Sequence, residues 1–465
     1  MNLLNRIFSE SPSELNADSN IYLRKHKFDS NTLTKLLIKL ANCTLVRDGQ
    51  LVRDDLWCRD GVIVDPEKIF FDEKLTADLE INCEDLMISP GFIDVQLNGA
   101  FGKDFSHDIE NIETNLELVS EGLLRFGITA YCPTLVSSEP SVYAKLIPKI
   151  KRTYNHLEPT KISQTNKPSA QILGIHLEGP FISKEKLGAH ELTSLKTFEN
   201  GIQSLIQVYG SLEHLVNNTA IITLAPELDP TGEIIRYLSQ NNITVSLGHS
   251  IANLSQGELA VRSGARFITH LFNAMLPFHH RDPHLIGLLS NRYFIRQEDI
   301  YYGVISDGIH THPAALNIAY KSHPNGMVLV TDAMSAMGLE EGKIHQLGEK
   351  CVEIVNDPVN KSLRSAYVQG TSILCGAVAS MDECVRNLIN ATGCTLVESI
   401  DCATKHPAKM LNIYPKKGSL NYGADADFIL MDKNLIVKAT FIRGDLSWSS
   451  PDWMPLFKYK FTPSC

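Results

Sequence analysis

A chain of 465 residues, 43% hydrophobic and 21% charged, has the composition of an ordinary globular protein, long enough for one large domain and a smaller one. Its formal net charge of −10, with no long Lys/Arg block, argues against a general nucleic-acid or anionic-membrane surface. No apolar run reaches spanning length, and Asn5, Arg6, Ser9 and Glu10 interrupt the opening stretch. That argues against a membrane segment or a secretory signal.

The ten cysteines are scattered with no Cys-x-x-Cys pair, so reduced thiols and a cytoplasmic location are expected. Residues 1–35, rich in Ser, Asn, Asp and Lys, read as a mobile N-terminal extension. Residues 36–88 hold the runs KLANCTLVR, DDLWCRDGVIV and KIFFD, parted by Asp-Gly and Asp-Pro turns. They read as the first part of a small antiparallel β module. A second part at 415–450 contains GADADFILMD and VKATFIRGDLSW, so the two chain ends are expected to pair into one β-sandwich domain, with 451–465 as a C-terminal tail.

Between them, residues 89–414 alternate strand and helix. Candidate strands are Gly91–Val95, Ile128–Cys132, Ile172–His176, Ala220–Leu224, Thr244–Leu247, Phe267–Thr269, Tyr302–Ile305 and Met327–Thr331. Helical spacing fills most gaps, as in Leu116, Val119, Leu123 and Leu124. Eight such units predict an α/β fold of the (β/α)8 TIM-barrel type, whose chemistry lies at the C-terminal strand ends. A doubly wound sheet also alternates strand and helix, but no GxGxxG loop follows any strand.

Polar residues stand just past those strands: Glu178 after the third, His249 after the fifth, His270 after the sixth, His310 after the seventh and Asp332 after the eighth. A solvated loop carboxylate or a structural histidine is the ordinary reading of any one alone. Together, two imidazoles and a carboxylate make an open zinc set, with Asp332 free to act as base.

The motifs PGFIDVQLNG, GIHLEGPFIS, LGHS, THLFNAM, HRDPHLIGLL, DGIHTHP, LVTDAMSAMG and GADADF resemble those of N-acetylglucosamine-6-phosphate deacetylases in the amidohydrolase superfamily, over about residues 36 to 448. The wording HLFNAMLPFHHRDP is most similar to the animal members. Most amidohydrolases carry a His-x-His pair on the first strand. Gln96 and Asn98 stand there in this chain, which favours one metal ion per subunit over two.

The resemblance implies Glu178, His249 and His270 as ligands of one divalent ion, zinc, with Gln96 at most touching a bound water. It implies Asp332 as catalytic acid and base and His190 as the group polarising the acetyl carbonyl. Substrate binding maps onto Ala189, Asn273, Ala274, Arg281, Asp307, Gly308, Ile309, His310, Leu374, Cys375 and Gly376. Where Cys375 lies the family usually has a small residue such as Ser or Ala. The expected substrate is a sugar phosphate, and the expected assembly a homodimer in which Arg281 reaches the neighbour's site. Two alternatives remain: another amidohydrolase acting on linear or cyclic amides, or a non-enzymatic scaffold. Absence of a lysine in Leu224-Ala225-Pro226-Glu227 weighs against the first, and retention of the ligands and Asp332 against the second.

Overall fold

The computed structural model describes residues 36–154, 168–290, 300–342, 344–347, 350–356, 364–370, 376–453 and 456–459. The expected extension at 1–35 lies outside them.

Eight parallel strands form a nearly closed barrel. Phe92–Leu97 pairs with Ile128–Leu135, which pairs with both pieces of the third strand, Gln171–Ile172 and Ile175–Glu178. Thr219–Leu224, Thr244–Leu247, Phe267–Ile268, Tyr301–Ile305 and Met327–Val330 follow in chain order. These runs are buried along their whole length, which explains why they read as continuous apolar stretches and not as alternations. First and last strands meet at their C-terminal ends, where Asp332 N–H donates to the Gln96 carbonyl at 2.9 Å and Asn98 N–H to that of Ala333 at 2.8 Å.

The third strand differs from the expected Ile172–His176. It breaks at Gly174 (φ 129), where a Cβ would lie 3.0 Å from the Ala220 nitrogen, and resumes to end on Glu178. Glu178 is therefore held by the strand itself. Helices pack their apolar faces on the barrel, for example Ile112–Leu123 through Ile112, Leu116, Val119 and Leu123. Met381–Thr392 opens with a capping box between Ser380 and Glu383. An antiparallel sheet of three strands, Ile344–Leu347, Lys350–Asn356 and Arg364–Val368, follows the eighth barrel strand; the sequence reading had not separated it from the barrel.

Both chain ends build the second domain. One sheet of six strands pairs Met87–Pro90 with Phe428–Met431; another of five contains Ile38–Ala41, Leu56–Arg59 and Leu79–Asn82. Leu40, Leu45, Ile81, Phe428 and Phe441 from the two sheets share one apolar core, as a sandwich requires. Three details depart from expectation. Pairing is mixed, since Ile38–Ala41 runs parallel to Leu79–Asn82 and Thr44–Arg47 parallel to Met87–Pro90. KIFFD is helical within Pro66–Phe71, because Asp65 caps the Glu67 N–H and Pro66 suits the first turn. Leu456–Tyr459, in the segment read as a tail, adds an edge strand beside Leu79–Asn82.

Candidate active site

Glu178, His249 and His270 are all buried, and their functional atoms converge. Glu178 Oε1 lies 3.1 Å from His249 Nε2 and 3.0 Å from His270 Nε2, and the two Nε2 atoms are 3.1 Å apart. Ligand bonds of about 2.0–2.1 Å in a tetrahedral shell place neighbouring donor atoms about 3.3 Å apart, so this triangle has the size of one face around a zinc-like cation. The donor chemistry fits as well. His249 donates Nδ1–H to the Lys186 carbonyl at 2.9 Å, which leaves Nε2 as the free lone pair aimed at the triangle.

Electrostatics agree with that fit. Burial alone would raise the Glu178 pKa, yet His249 and His270 outweigh it and hold the carboxyl well below its ordinary range. Burial opposes charge on His270 too, but Glu178 overcomes it and raises that pKa. Gln96 Nε2 donates directly to Glu178 Oε1 at 3.1 Å. Gln96 Oε1, Asn98 Oδ1 and His270 Nδ1 are buried without a hydrogen-bond partner among the described residues, so the surroundings of the carboxylate retain unused polar capacity.

Asp332 stands beside this cluster. Burial first, then the charge of Glu178, pushes its pKa up to about 7, with His270, Asn98 and His310 acting in the opposite sense. Asn98 Nδ2 donates to Asp332 Oδ1 at 2.7 Å. His249 (φ 48), His270 (φ 29) and Asp332 (φ 45) all occupy left-handed backbone, which costs a non-glycine residue on the order of 1–3 kcal/mol. The barrel holds these three strand ends in conformations that free chain would avoid. Beneath them, His176 bridges Val95 O at 2.9 Å and Thr223 Oγ1 at 2.7 Å, a structural use of the histidine in GIHLEGP.

His190 joins the site from a loop. Its ring packs edge-on against His249 with centroids 4.6 Å apart, and ligand-type atoms of Glu178, His190 and His249 lie within 4.8 Å of one another. Geometry by proximity thus offers His190 as an alternative ligand to His270. His270 Nε2 lies nearer, within 3.1 Å of both Glu178 Oε1 and His249 Nε2, while Nδ1 of His190 is engaged by Ser137. Burial pulls the His190 pKa down to about 4, so its ring is neutral near neutrality.

The expected substrate residues fall into three groups. Asp307 organises its own turn: Oδ1 accepts from Ile309 N–H at 2.9 Å and His310 N–H at 2.8 Å, with Gly308 at φ 77 between, while Oδ2 meets His310 Nδ1 at 2.5 Å. That contact raises the His310 pKa against the effect of burial, and the charge of Asp332 acts in the same sense. Gly376 (φ 98) precedes Ala377, whose carbonyl accepts from Met334 N–H at 3.1 Å, so it borders the Asp332 strand end. Ala189, Asn273 and Ala274 lie on the loops carrying His190 and His270, Ala274 accepting from Ser250 N–H at 3.2 Å. Arg281 stands apart, exposed on the tip Pro277–Arg281, with no ion pair to its own chain among the described residues. Leu374 and Cys375 lie outside the described residues.

The sequence reading missed Ser137 and the contact of Asn98 with Asp332, neither of which has a motif signal of its own. At the end of strand four, Glu227 accepts from Ser250 Oγ at 2.6 Å and Ile251 N–H at 2.8 Å, which braces the loop carrying His249.

Comparison with known proteins gives one answer. Residues 87–447 match the model of the Amidohydrolase family. N-acetylglucosamine-6-phosphate deacetylase of Mus musculus is 48% identical over 420 residues, which span 90% of this chain and 97% of that protein. The solved structure of N-acetylglucosamine-6-phosphate deacetylase from Pasteurella multocida is 27% identical with a TM-score of 0.72, covering 89% of this chain and 100% of that one. A Mycobacterium smegmatis variant of N-acetyl-D-glucosamine-6-phosphate deacetylase, solved in complex with N-acetyl-D-glucosamine-6-phosphate, is 25% identical with a TM-score of 0.69, covering 89% and 99%. With the barrel, the buried Glu-His-His triangle and the strand-eight aspartate in the same chain, this protein belongs to the metal-dependent amidohydrolase family and, within it, to the N-acetylglucosamine-6-phosphate deacetylases.

Proposed function

We propose that the protein hydrolyses N-acetyl-D-glucosamine 6-phosphate to D-glucosamine 6-phosphate and acetate, in amino-sugar catabolism. The observation that carries this reading is the triangle of Glu178 Oε1, His249 Nε2 and His270 Nε2, with sides of 3.0–3.1 Å, beside a carboxyl whose pKa is poised at about 7.

Glu178, His249 and His270 would hold one divalent cation, zinc. Such a cation supplies Lewis-acid polarisation of the acetyl carbonyl and acidifies a coordinated water. The chain's own groups do the remainder. Asp332 takes the proton of the attacking water and returns it to the sugar nitrogen, which needs it because an amide nitrogen leaves poorly as an anion. A pKa near neutrality suits a group that must both accept and donate in one turnover. Neutral His190 donates a hydrogen bond to the acyl oxygen as negative charge grows there.

Around the sugar phosphate we assign Ala189, Asn273, Ala274, the turn Asp307–His310 and the residues Leu374, Cys375 and Gly376, with His310 as a hydrogen-bond donor and Arg281 as the cationic partner of the phosphate. A guanidinium fork suits a phosphate dianion. The exposure of Arg281, beside Phe278 at 63% exposed, supports a homodimer in which each loop tip completes the neighbour's site. Cytoplasmic residence is supported by the described cysteines, all of them free. No helix among the described residues is long and apolar enough to cross a membrane. Zinc-loaded protein incubated with N-acetylglucosamine 6-phosphate should release equal amounts of acetate and primary amine, and elemental analysis should find one tightly held ion per chain. Two tightly held ions would overturn the single-metal reading, and no amine release from loaded protein would overturn the deacetylase reading.

A further inference from the structure

We propose that Ser137 is a positioning residue: it fixes His190 as the Nε2–H tautomer and so commits that imidazole to hydrogen-bond donation instead of metal binding. The proposal rests on the reading above that His190 faces the acyl oxygen.

Ser137 follows the second barrel strand, Ile128–Leu135, and is 7% exposed. Two of its atoms address one ring nitrogen. The backbone N–H points at His190 Nδ1 from 3.1 Å, and Oγ lies 2.7 Å from the same atom. A backbone N–H can only donate, so Nδ1 must present its lone pair. The hydroxyl then donates as well, since an Nδ1–H would point into the backbone donor. A neutral imidazole carries one proton, and with Nδ1 bare that proton sits on Nε2.

This tautomer decides between two roles that proximity leaves open, because His190 lies close enough to Glu178 and His249 to be drawn in as a ligand. A nitrogen bearing a proton cannot coordinate, whereas it can donate to a developing oxyanion. The neighbouring chain makes room for the device. Gly179, directly after the ligand Glu178, has φ 79, and a Cβ there would come within 2.3 Å of Ser137 Oγ. The Glu-Gly-Pro sequence thereby serves His190 as well as the metal, through the space its glycine leaves.

The test reads the tautomer directly. Zinc-loaded, substrate-free protein carrying 15N-histidine is examined by long-range 1H–15N correlation, with His190 assigned by the signal lost in His190→Gln. The wild type should show Nε2–H at His190. Ser137→Ala removes one of the two donors to Nδ1, so Nε2–H should stay the major form but with a detectable Nδ1–H population, and kcat should fall by about three- to tenfold with KM little changed. Ser137→Thr, which restores a hydroxyl, should recover both readouts. Nδ1–H in the wild type, or an Ala variant with unchanged tautomer and full kcat, would overturn the proposal; the wild-type spectrum decides even if the Ala variant fails to fold. Loss of the deacetylase reading would appear separately, as wild-type protein with the expected tautomer and no amine release.

Discussion

Replacing Asn98 by alanine should move the acid limb of the pH profile. Asn98 Nδ2 donates to Asp332 Oδ1 at 2.7 Å, and that bond is one of the influences holding down a pKa that burial pushes to about 7. A hydrogen bond to a charged acceptor contributes about 1.5–3 kcal/mol. One pKa unit corresponds to about 1.4 kcal/mol, so its loss should raise the Asp332 pKa by about one to two units. The sign follows from the role of base: Asp332 must be ionised to take the water's proton, so activity rises as pH passes its pKa. At pH 7 the wild-type carboxyl would be about half ionised and the variant's about 1–10%, a deficit of about five- to fiftyfold that closes towards pH 9.5. A bound cation lowers the pKa in both proteins, so the difference between them is the quantity to read. The side chain's other end, Oδ1, has no partner among the described residues, so little stability should go with it. The assay is kcat/KM from released amine between pH 5.5 and 9.5, with melting temperature measured alongside. A uniform loss at every pH, with the limb unmoved, would refute the reasoning.

Other consequences are equally direct. His249→Ala or His270→Ala should lose zinc and turnover together, and a variant that lost metal but kept its rate would remove that residue from the ligand set. Arg281→Ala should weaken handling of the phosphorylated substrate by about 2–5 kcal/mol while barely affecting unphosphorylated N-acetylglucosamine. Mixing it with Asp332→Asn under demonstrated subunit exchange should restore activity if the arginine crosses between subunits, and no rescue would place it within its own chain. Asp94, fully buried against Thr331, has its pKa raised by burial to about 7. Between about pH 4 and that value the folded protein keeps a proton that the unfolded chain has released. Unfolding then releases it, so stability should fall as pH rises through that window, by up to about 4 kcal/mol relative to Asp94→Asn. Equal pH dependence in both proteins would contradict this.

The sequence placed the barrel and the polar strand ends because buried parallel strands are written as apolar runs, and a carboxylate or histidine after such a run stands out. Glu178, His249, His270 and Asp332 were legible for that reason. Their convergence was not, since it depends on left-handed backbone at His249, His270 and Asp332 and on pairing between strands far apart in the chain. Ser137 and Asn98 are common residues whose importance comes entirely from what they touch. In the small domain, Asp65-Pro66 is a sound helix-start signal, but the β-rich runs around it outweighed it in the reading of KIFFD. Parallel pairing of Ile38–Ala41 with Leu79–Asn82 needs a crossover, which alternation within either strand cannot reveal.

The central claim is that one cation held by Glu178, His249 and His270 acts with Asp332 to cleave an acetamide. Acetate released from N-acetylglucosamine 6-phosphate, followed by proton NMR for the zinc-loaded wild type and Asp332→Asn, tests it most directly. The account predicts one acetate per amine for the wild type, and for the variant unchanged zinc content with turnover lower by about 10² to 10⁴ or more. A variant that keeps both its zinc and its rate, or a loaded wild type that releases no acetate, would contradict it.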